Sequence, residues 1–319
     1  MTETPTDGHG AGRLTLYYSP AYAMAGTEFD TTRKAAWVAE SLAERPIDGV
    51  DLVEPRPLTR TELAEIHAPE YVDAVLTGEP EHLAGSNGIG WDPDLFDAVA
   101  ASNGGAVAAA LGVLRRGGVT GSLSSGLHHA RALRGDGFCT FNGLAQAVRA
   151  AQQEGASRIL VLDLDAHCGG GTHDLLGDDR DVVQLDVSVS EFDSYAANYP
   201  WTLDLVHDAP DYLPTIERRL DALAAEHFDL VLYNAGMDPF EGCYAGGLLG
   251  IDHETLAARE RMIFERARAA GWPVAFVLAG GYAKGTEARR ELVELHRETI
   301  TAAVGSASSA AASSPRRRG

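Results

Sequence analysis

Residues 158–174 read RILVLDLDAHCGGGTHD. Ile159-Leu160-Val161-Leu162 is a short continuous apolar run, the composition of a strand buried on both faces. Asp163, Asp165 and His167 follow at alternate positions, and alternate strand residues point to one side. Three groups able to bind a metal or a proton therefore leave a central strand at its C-terminal end, where open α/β sheets hold their ligands. Ideal strand geometry separates positions i and i+2 by about 6.5 Å. Two ligands of one zinc ion need donor atoms roughly 3–3.5 Å apart, given bonds of about 2 Å. The strand must therefore break within this stretch, and Gly169-Gly170-Gly171 supplies backbone that can turn sharply. The alternative is an acidic strand end with a chance histidine.

Outward from this stretch, apolar runs alternate with amphipathic or Ala-rich segments. Strands are predicted at 14–18, 119–124, 182–187, 228–234 and 273–278. Helices are predicted at 32–44, from Thr59, at 69–76, 93–116, 139–154, 211–227, 253–270 and 284–304. Pro93 suits a first helical turn and Gly117-Gly118 a helix end. The alternation implies an α/β fold, one three-layer αβα domain over residues 13–304 with a central, mostly parallel sheet. Residues 1–12 are expected to be a disordered lead, and the Ser/Ala-rich residues 305–319 a disordered tail.

The 319 residues carry a net charge of −20, which disfavours nucleic acid as a partner because phosphate binding needs positive surface. Acidity would attract cationic substrates or simply keep the protein soluble. We read no run of the ~18–20 apolar residues that a membrane helix needs. The N-terminus MTETPTDGHGAG lacks the regions of a signal peptide, so the expectation is a cytoplasmic, bacterial-type protein with no membrane partner. Cys139, Cys168 and Cys243 show no CxxC spacing and suggest neither a disulfide framework nor a structural zinc site.

Chemistry-capable residues follow four apolar runs: His128-His129, the Asp163/Asp165/His167 set, Asp238 and Tyr282. Each alone has a plain reading as polar surface, helix cap or packed aromatic. Four on strand ends point to one shared sheet edge.

These motifs resemble the histone deacetylase family, within the arginase/deacetylase fold. The matching pieces, in the family's order, are Ser125-Gly126-Leu127-His128-His129-Ala130, Gly137-Phe138-Cys139-Thr140-Phe141-Asn142, the central DLDAHCGGGT, Asn234-Ala235-Gly236-Met237-Asp238 and Ala279-Gly280-Gly281-Tyr282. DLDAH and NAGMDPFEG look most similar to class IV deacetylases and their bacterial relatives. The resemblance implies a zinc-dependent deacylase acting on an acyl-lysine peptide, an acylpolyamine or a small-molecule amide. Asp165, His167 and Asp238 would hold Zn²⁺, three ligands with a fourth position left for water. The oxygen-rich set also suits Fe²⁺. His129 would be general base, His128 its electrostatic partner oriented by Asp163, and Tyr282 the donor to the oxyanion. Asp163 and Ser188 would border a structural K⁺ or Na⁺. Gly137 and Phe138 would belong to the substrate tunnel. Asp92 would be a rim residue contacting substrate, with an N-cap to the following helix as its alternative.

Three departures from the family pattern stand out. Cys168 follows the metal histidine where relatives carry His or Gln. Gly170 stands where an Asp or Asn orients the second active-site histidine, which leaves His129 needing water or a group from elsewhere in the chain. Residues 190–208 form a short segment without the usual Phe-Pro-Gly loop. Two other readings compete: a catalytically weak acyl-amine binder and a binuclear Mn ureohydrolase.

Overall fold

A computed structural model describes residues 12–23 and 30–313. Residues 1–11 and 314–319, the bulk of the expected lead and the end of the expected tail, lie outside the described residues. The strands are β1 (Leu14–Tyr17), β2 (Val50–Val53), β3 (Val119–Ser122), β4 (Ile159–Asp163), β5 (Val182–Ser188), β6 (Trp201–Leu205), β7 (Leu230–Gly236) and β8 (Val274–Ala279). The helices are α1 (Asp30–Glu44), α2 (Arg60–Leu63), α3 (Pro69–Thr77), α4 (Glu81–Ala84), α5 (Leu95–Arg116), α6 (Gly143–Gln153), α7 (Gly170–Leu176), α8 (Tyr212–Leu223), α9 (His253–Ala270) and α10 (Thr286–Ser313).

All eight strands form one parallel sheet in the order β2-β1-β3-β8-β7-β4-β5-β6. β4 lies between β7 and β5, with Asp163 in register with both Asn234 and Asp186. Its side chains divide by alternation between two cores. Leu160 and Leu162 join the layer of α1, α8, α9 and α10, while Ile159 and Val161 join that of α3, α5 and α6. This is the expected three-layer αβα architecture. The four strands whose ends carry the candidate residues, β3, β8, β7 and β4, are consecutive neighbours, which puts those residues on one edge.

Several elements differ from the sequence expectation for identifiable reasons. β2 and β6 were not predicted. Both are edge strands, and most of their residues are only partly buried, so neither reads as an apolar run. α7 begins at Gly170, within the glycines read as a turn; packing overrides their low helix propensity. α6 starts at Gly143, because the Asn142 side chain caps it by accepting from Ala145 N at 2.9 Å. α10 continues to Ser313, so 305–313 is helical backbone where a disordered tail was expected. α5 is long and apolar enough to cross a membrane, contrary to our reading of the sequence, but 78% of its apolar window is buried inside the fold. It packs in the layer of α3 and α6. The three cysteines are free.

One buried ion pair supports the turn that follows β4. Arg259 on α9 is 0% exposed. Its Nε donates to Glu260 Oε1 at 2.8 Å, and its Nη1 donates to Tyr212 Oη at 2.9 Å and to the Leu164 carbonyl at 3.2 Å. Leu164 separates Asp163 from Asp165, so this guanidinium braces the bend from behind. Removing one partner of a buried pair strands the other charge and typically costs about 3–5 kcal/mol. Arg259→Leu is expected to lower stability in urea unfolding by that amount; a loss under about 1 kcal/mol would contradict this role.

Candidate metal and active site

β4 ends at Asp163, so the strand does break before Asp165 and His167. The break separates their roles in space. His167 Nδ1 lies 3.1 Å from Asp165 Oδ1 and 3.1 Å from Asp238 Oδ2. Ligand atoms of these three residues all lie within 4.8 Å of one another, the one such cluster among the described residues. Backbone donors fix the carboxylates: His167 N donates to Asp165 Oδ1, and Ala166 N to Asp238 Oδ1, each at 3.0 Å. Gly280, at φ 54°, packs on Asp238, and a Cβ there would stand 2.3 Å from Oδ1.

The donor chemistry fits a divalent cation. Donor separations of 3.1 Å suit two ligands of one ion at bonds of about 2 Å. Burial and then Asp165 push the Asp238 carboxyl up to about 6. Burial lowers the His167 pKa, but Asp165 and Asp238 outweigh it and raise it to about 10. A cation between two buried carboxylates is thus strongly favoured, and a dication can take the place of the imidazolium proton. Three protein donors leave a further coordination position, the arrangement of catalytic rather than structural sites.

His128 and His129 follow β3 and are buried. His128 Nδ1 lies 2.8 Å from Asp163 Oδ2, and its Nε2 lies 3.0 Å from His129 Nε2. Asp163 is itself fixed by Asn234 Nδ2 at 2.8 Å and Asp165 N at 3.2 Å. Burial acts to lower the His128 pKa, but Asp163 and Asp165 prevail and raise it to about 10. Burial and then the adjacent His128 charge push His129 down to about 4. The pair is therefore split, one ring cationic and one neutral, which is how paired titratable groups divide acid and base roles.

The sequence reading left His129 without an orienting group. The structure supplies one: His129 Nδ1 lies 2.8 Å from Asp193 Oδ2. Neither Asp193 nor its neighbour Phe192 was among the predicted site residues. Phe192 packs edge-on against His129 and His167, with ring centroids at 5.0 and 5.9 Å. Both residues lie in the irregular segment after β5, which has no periodicity to read.

Tyr282 comes off β8 with its ring 6.2 Å from His167 and 6.4 Å from Phe138. Lys34, a fully buried residue also missed in the sequence, anchors that loop by donating to the Gly280 carbonyl at 2.7 Å. Phe138 is 39% exposed with φ 68°, so it is not a core aromatic, and its ring lies beside that of Tyr282. Gly137 backs onto His129, where a Cβ would stand 2.4 Å from Cδ2. Ser188 Oγ donates to Asp186 Oδ1 at 2.6 Å rather than to Asp163. Asp186, pushed up to about 7 by burial and then Asp163, is the further acid of that corner. Asp92 Oδ1 accepts from Asp94 N at 2.8 Å, an Asx turn before α5; the helix starts at Leu95 with Asp94 as its N-cap, so Asp92 is not the cap that its alternative expected.

A family model described as the histone deacetylase domain matches residues 28–299. An uncharacterised protein of Picosynechococcus is 35% identical over 247 residues, covering 74% of this chain and 82% of that protein. The mouse polyamine deacetylase HDAC10 is 30% identical over 258 residues, 69% of this chain but only 37% of that protein. Other curated relatives, too, are matched over less than half of their length. The crystal structure of an acetylpolyamine aminohydrolase from Burkholderia pseudomallei has the same fold, with a TM-score of 0.75, 19% identity and coverage of 91% and 98% of the two chains.

Asp238→Ala removes one of three donors. It is expected to weaken divalent-cation binding by more than ~100-fold, beyond the 10–100-fold of a lost supporting residue. Equilibrium dialysis with metal analysis measures this, and unchanged affinity would remove Asp238 from the site.

Proposed function

The chain belongs to the histone deacetylase family, and on that premise we propose that it is a metal-dependent hydrolase of linear amide bonds. It removes an acetyl or longer acyl group from an acylated amine. The observation that carries this reading is the adjacency of a three-donor cluster to a split histidine pair, at a mouth walled by aromatic rings. Apolar walls suit the alkyl stem of an acyl-amine. Acyl-lysine peptides, acylpolyamines and small amides all present such a stem. Similarity to a polyamine deacetylase supports including polyamines.

We assign Zn²⁺ to Asp165, His167 and Asp238, with Fe²⁺ as the alternative for this oxygen-rich set. The bound ion would supply Lewis-acid activation of the amide carbonyl and of water. The remaining work falls to side chains. His129, neutral at physiological pH, accepts the proton of the attacking water at Nε2 and returns it to the leaving amine. His128 stays cationic, held by Asp163, and stabilises negative charge developing beside it. The Tyr282 hydroxyl donates to the oxyanion. A monovalent cation, K⁺ or Na⁺, is assigned to the corner of Asp163, Asp186 and Ser188, where two buried carboxylates lie close.

A screen of acetyl- to myristoyl-lysine peptides and acetylpolyamines on zinc-loaded protein tests the reading. Acid release well above that of a His129→Ala control is expected for at least one class. No release above that control would sink the enzyme assignment. Tyr282→Phe is expected to lower turnover ~10²-fold or more with KM little changed, the usual loss of an oxyanion donor. A wild-type rate would exclude Tyr282 from the reaction.

A further inference from the structure

We propose that Asp193 is the residue that fixes the ring orientation and tautomer of His129, and that position 170 is glycine in order to leave room for it. The proposal rests on the hydrolase reading for its consequence, but its geometry is independent of that reading. Asp193 is supplied by the loop after β5, which is clipped onto the turn after β4 through three backbone bonds. Val189 N and Ser190 N donate to the Ala166 carbonyl at 3.0 and 2.8 Å, and Cys168 N donates to the Phe192 carbonyl at 3.0 Å. The chain then turns back through Asp193 at φ 61°.

The carboxylate delivered by that turn is 5% exposed and each of its oxygens has a donor. Oδ2 accepts from His129 Nδ1 at 2.8 Å and from Gly171 N, in the first turn of α7, at 3.1 Å. Oδ1 pairs with Arg131 Nη2, and Arg131 Nη1 lies 3.4 Å from the Gly170 carbonyl. A carboxylate can only accept, so His129 must carry its proton on Nδ1. Its Nε2 is then the acceptor, and Nε2 is the atom that lies 3.0 Å from His128 Nε2. Asp193 touches no reacting atom; it acts through the ring.

Gly170 is the steric complement. A Cβ at Gly170 would lie 2.2 Å from the Asp193 carbonyl oxygen, 2.4 Å from Oδ1 and 2.6 Å from Cγ. A side chain at 170, the first residue of α7, and the loop after β5 therefore compete for one volume, and only a bare backbone at 170 lets the loop in. A left-handed conformation is unfavourable for a residue with a Cβ. Among the described residues only Leu127, Phe138 and Asp193 adopt it without being glycine. Leu127 precedes the histidine pair, Asp193 is bonded to His129, and Phe138 follows Gly137, which backs onto His129, the distribution expected when backbone strain is retained for placement.

The test uses the full-length zinc-loaded chain with ¹⁵N-labelled histidine, the His129 signals being assigned by their loss in His129→Gln. In Asp193→Ala, kcat is expected to fall ~10–100-fold, the usual effect of losing a supporting carboxylate, with zinc content and KM within ~3-fold. The ¹⁵N signals should show His129 no longer held with its proton on Nδ1. Asp193→Asn, which keeps the shape and one acceptor oxygen, should lie between wild type and Ala in rate. Gly170→Asp, although it adds a carboxylate nearby, should lose activity like Asp193→Ala because it expels the loop. An unchanged kcat and unchanged tautomer in Asp193→Ala would overturn the positioning role. If Asp193→Ala does not fold, a wild-type rate in Asp193→Asn together with unaltered His129 signals overturns it instead. A wild-type rate in Gly170→Asp would overturn the steric complement. If wild-type protein hydrolyses no acyl-amine, the hydrolase reading fails while the tautomer measurement still decides the role of Asp193.

Discussion

Four carboxylates share the buried end of one sheet. Asp163, Asp165, Asp186 and Asp238 are each at most 5% exposed. Two unit charges 4 Å apart repel by about 4 kcal/mol at the effective dielectric of a protein. Cations must therefore be built around them, and the rest of the site follows from that need. His128 is held protonated by Asp163 and Asp165. Lys34, pushed down to about 8 by burial, is partly restored by Asp165 and Asp238. Arg259 braces the same turn from the layer of α9. The acidic corner at Asp165 and Asp238 still exceeds what one imidazole can balance, which is the electrostatic reason a dication belongs there. The same field holds His129 neutral only indirectly: it charges His128, and His128 then disfavours a second positive ring beside it.

How much of this could be read in the chain depended on whether a residue sat in a periodic element. The apolar run of β4 and the alternate acids beyond it were visible because a strand buried on both faces has no other composition. Asp238 and Tyr282 were visible because β7 and β8 are equally apolar and end in glycine-bearing turns. Lys34 was not visible: in an amphipathic helix a lysine reads as solvent-facing, and only the loop of β8 packed on α1 reveals that its ammonium is buried on a carbonyl. Asp193 was hidden for a different reason. Its partner is 64 positions away in sequence, and the loop that carries it has neither an apolar period nor a glycine at the residue with positive φ. The missing group on His129 was legible as a gap at Gly170, but its replacement was a tertiary fact.

The replacement changes how the site is wired. A carboxylate on α7 would be anchored by a helix. Placed at 193, it belongs to the loop that also carries Phe192, whose ring lies edge-on to His129 and His167. On the other side of the mouth, Phe138 follows Gly137, whose backbone backs onto the same imidazole, and a Cβ at Gly137 would also stand 3.0 Å from Phe192 Cε1. Each aromatic wall is thus the immediate chain neighbour of a residue in contact with His129. The width of the mouth and the position of the base are consequently not independent variables. Displacing either aromatic ring pulls on the turn that holds the imidazole. Phe192 and Asp193 share one turn, as do Gly137 and Phe138, so the two aromatic rings and the imidazole are positioned by the same two stretches of backbone.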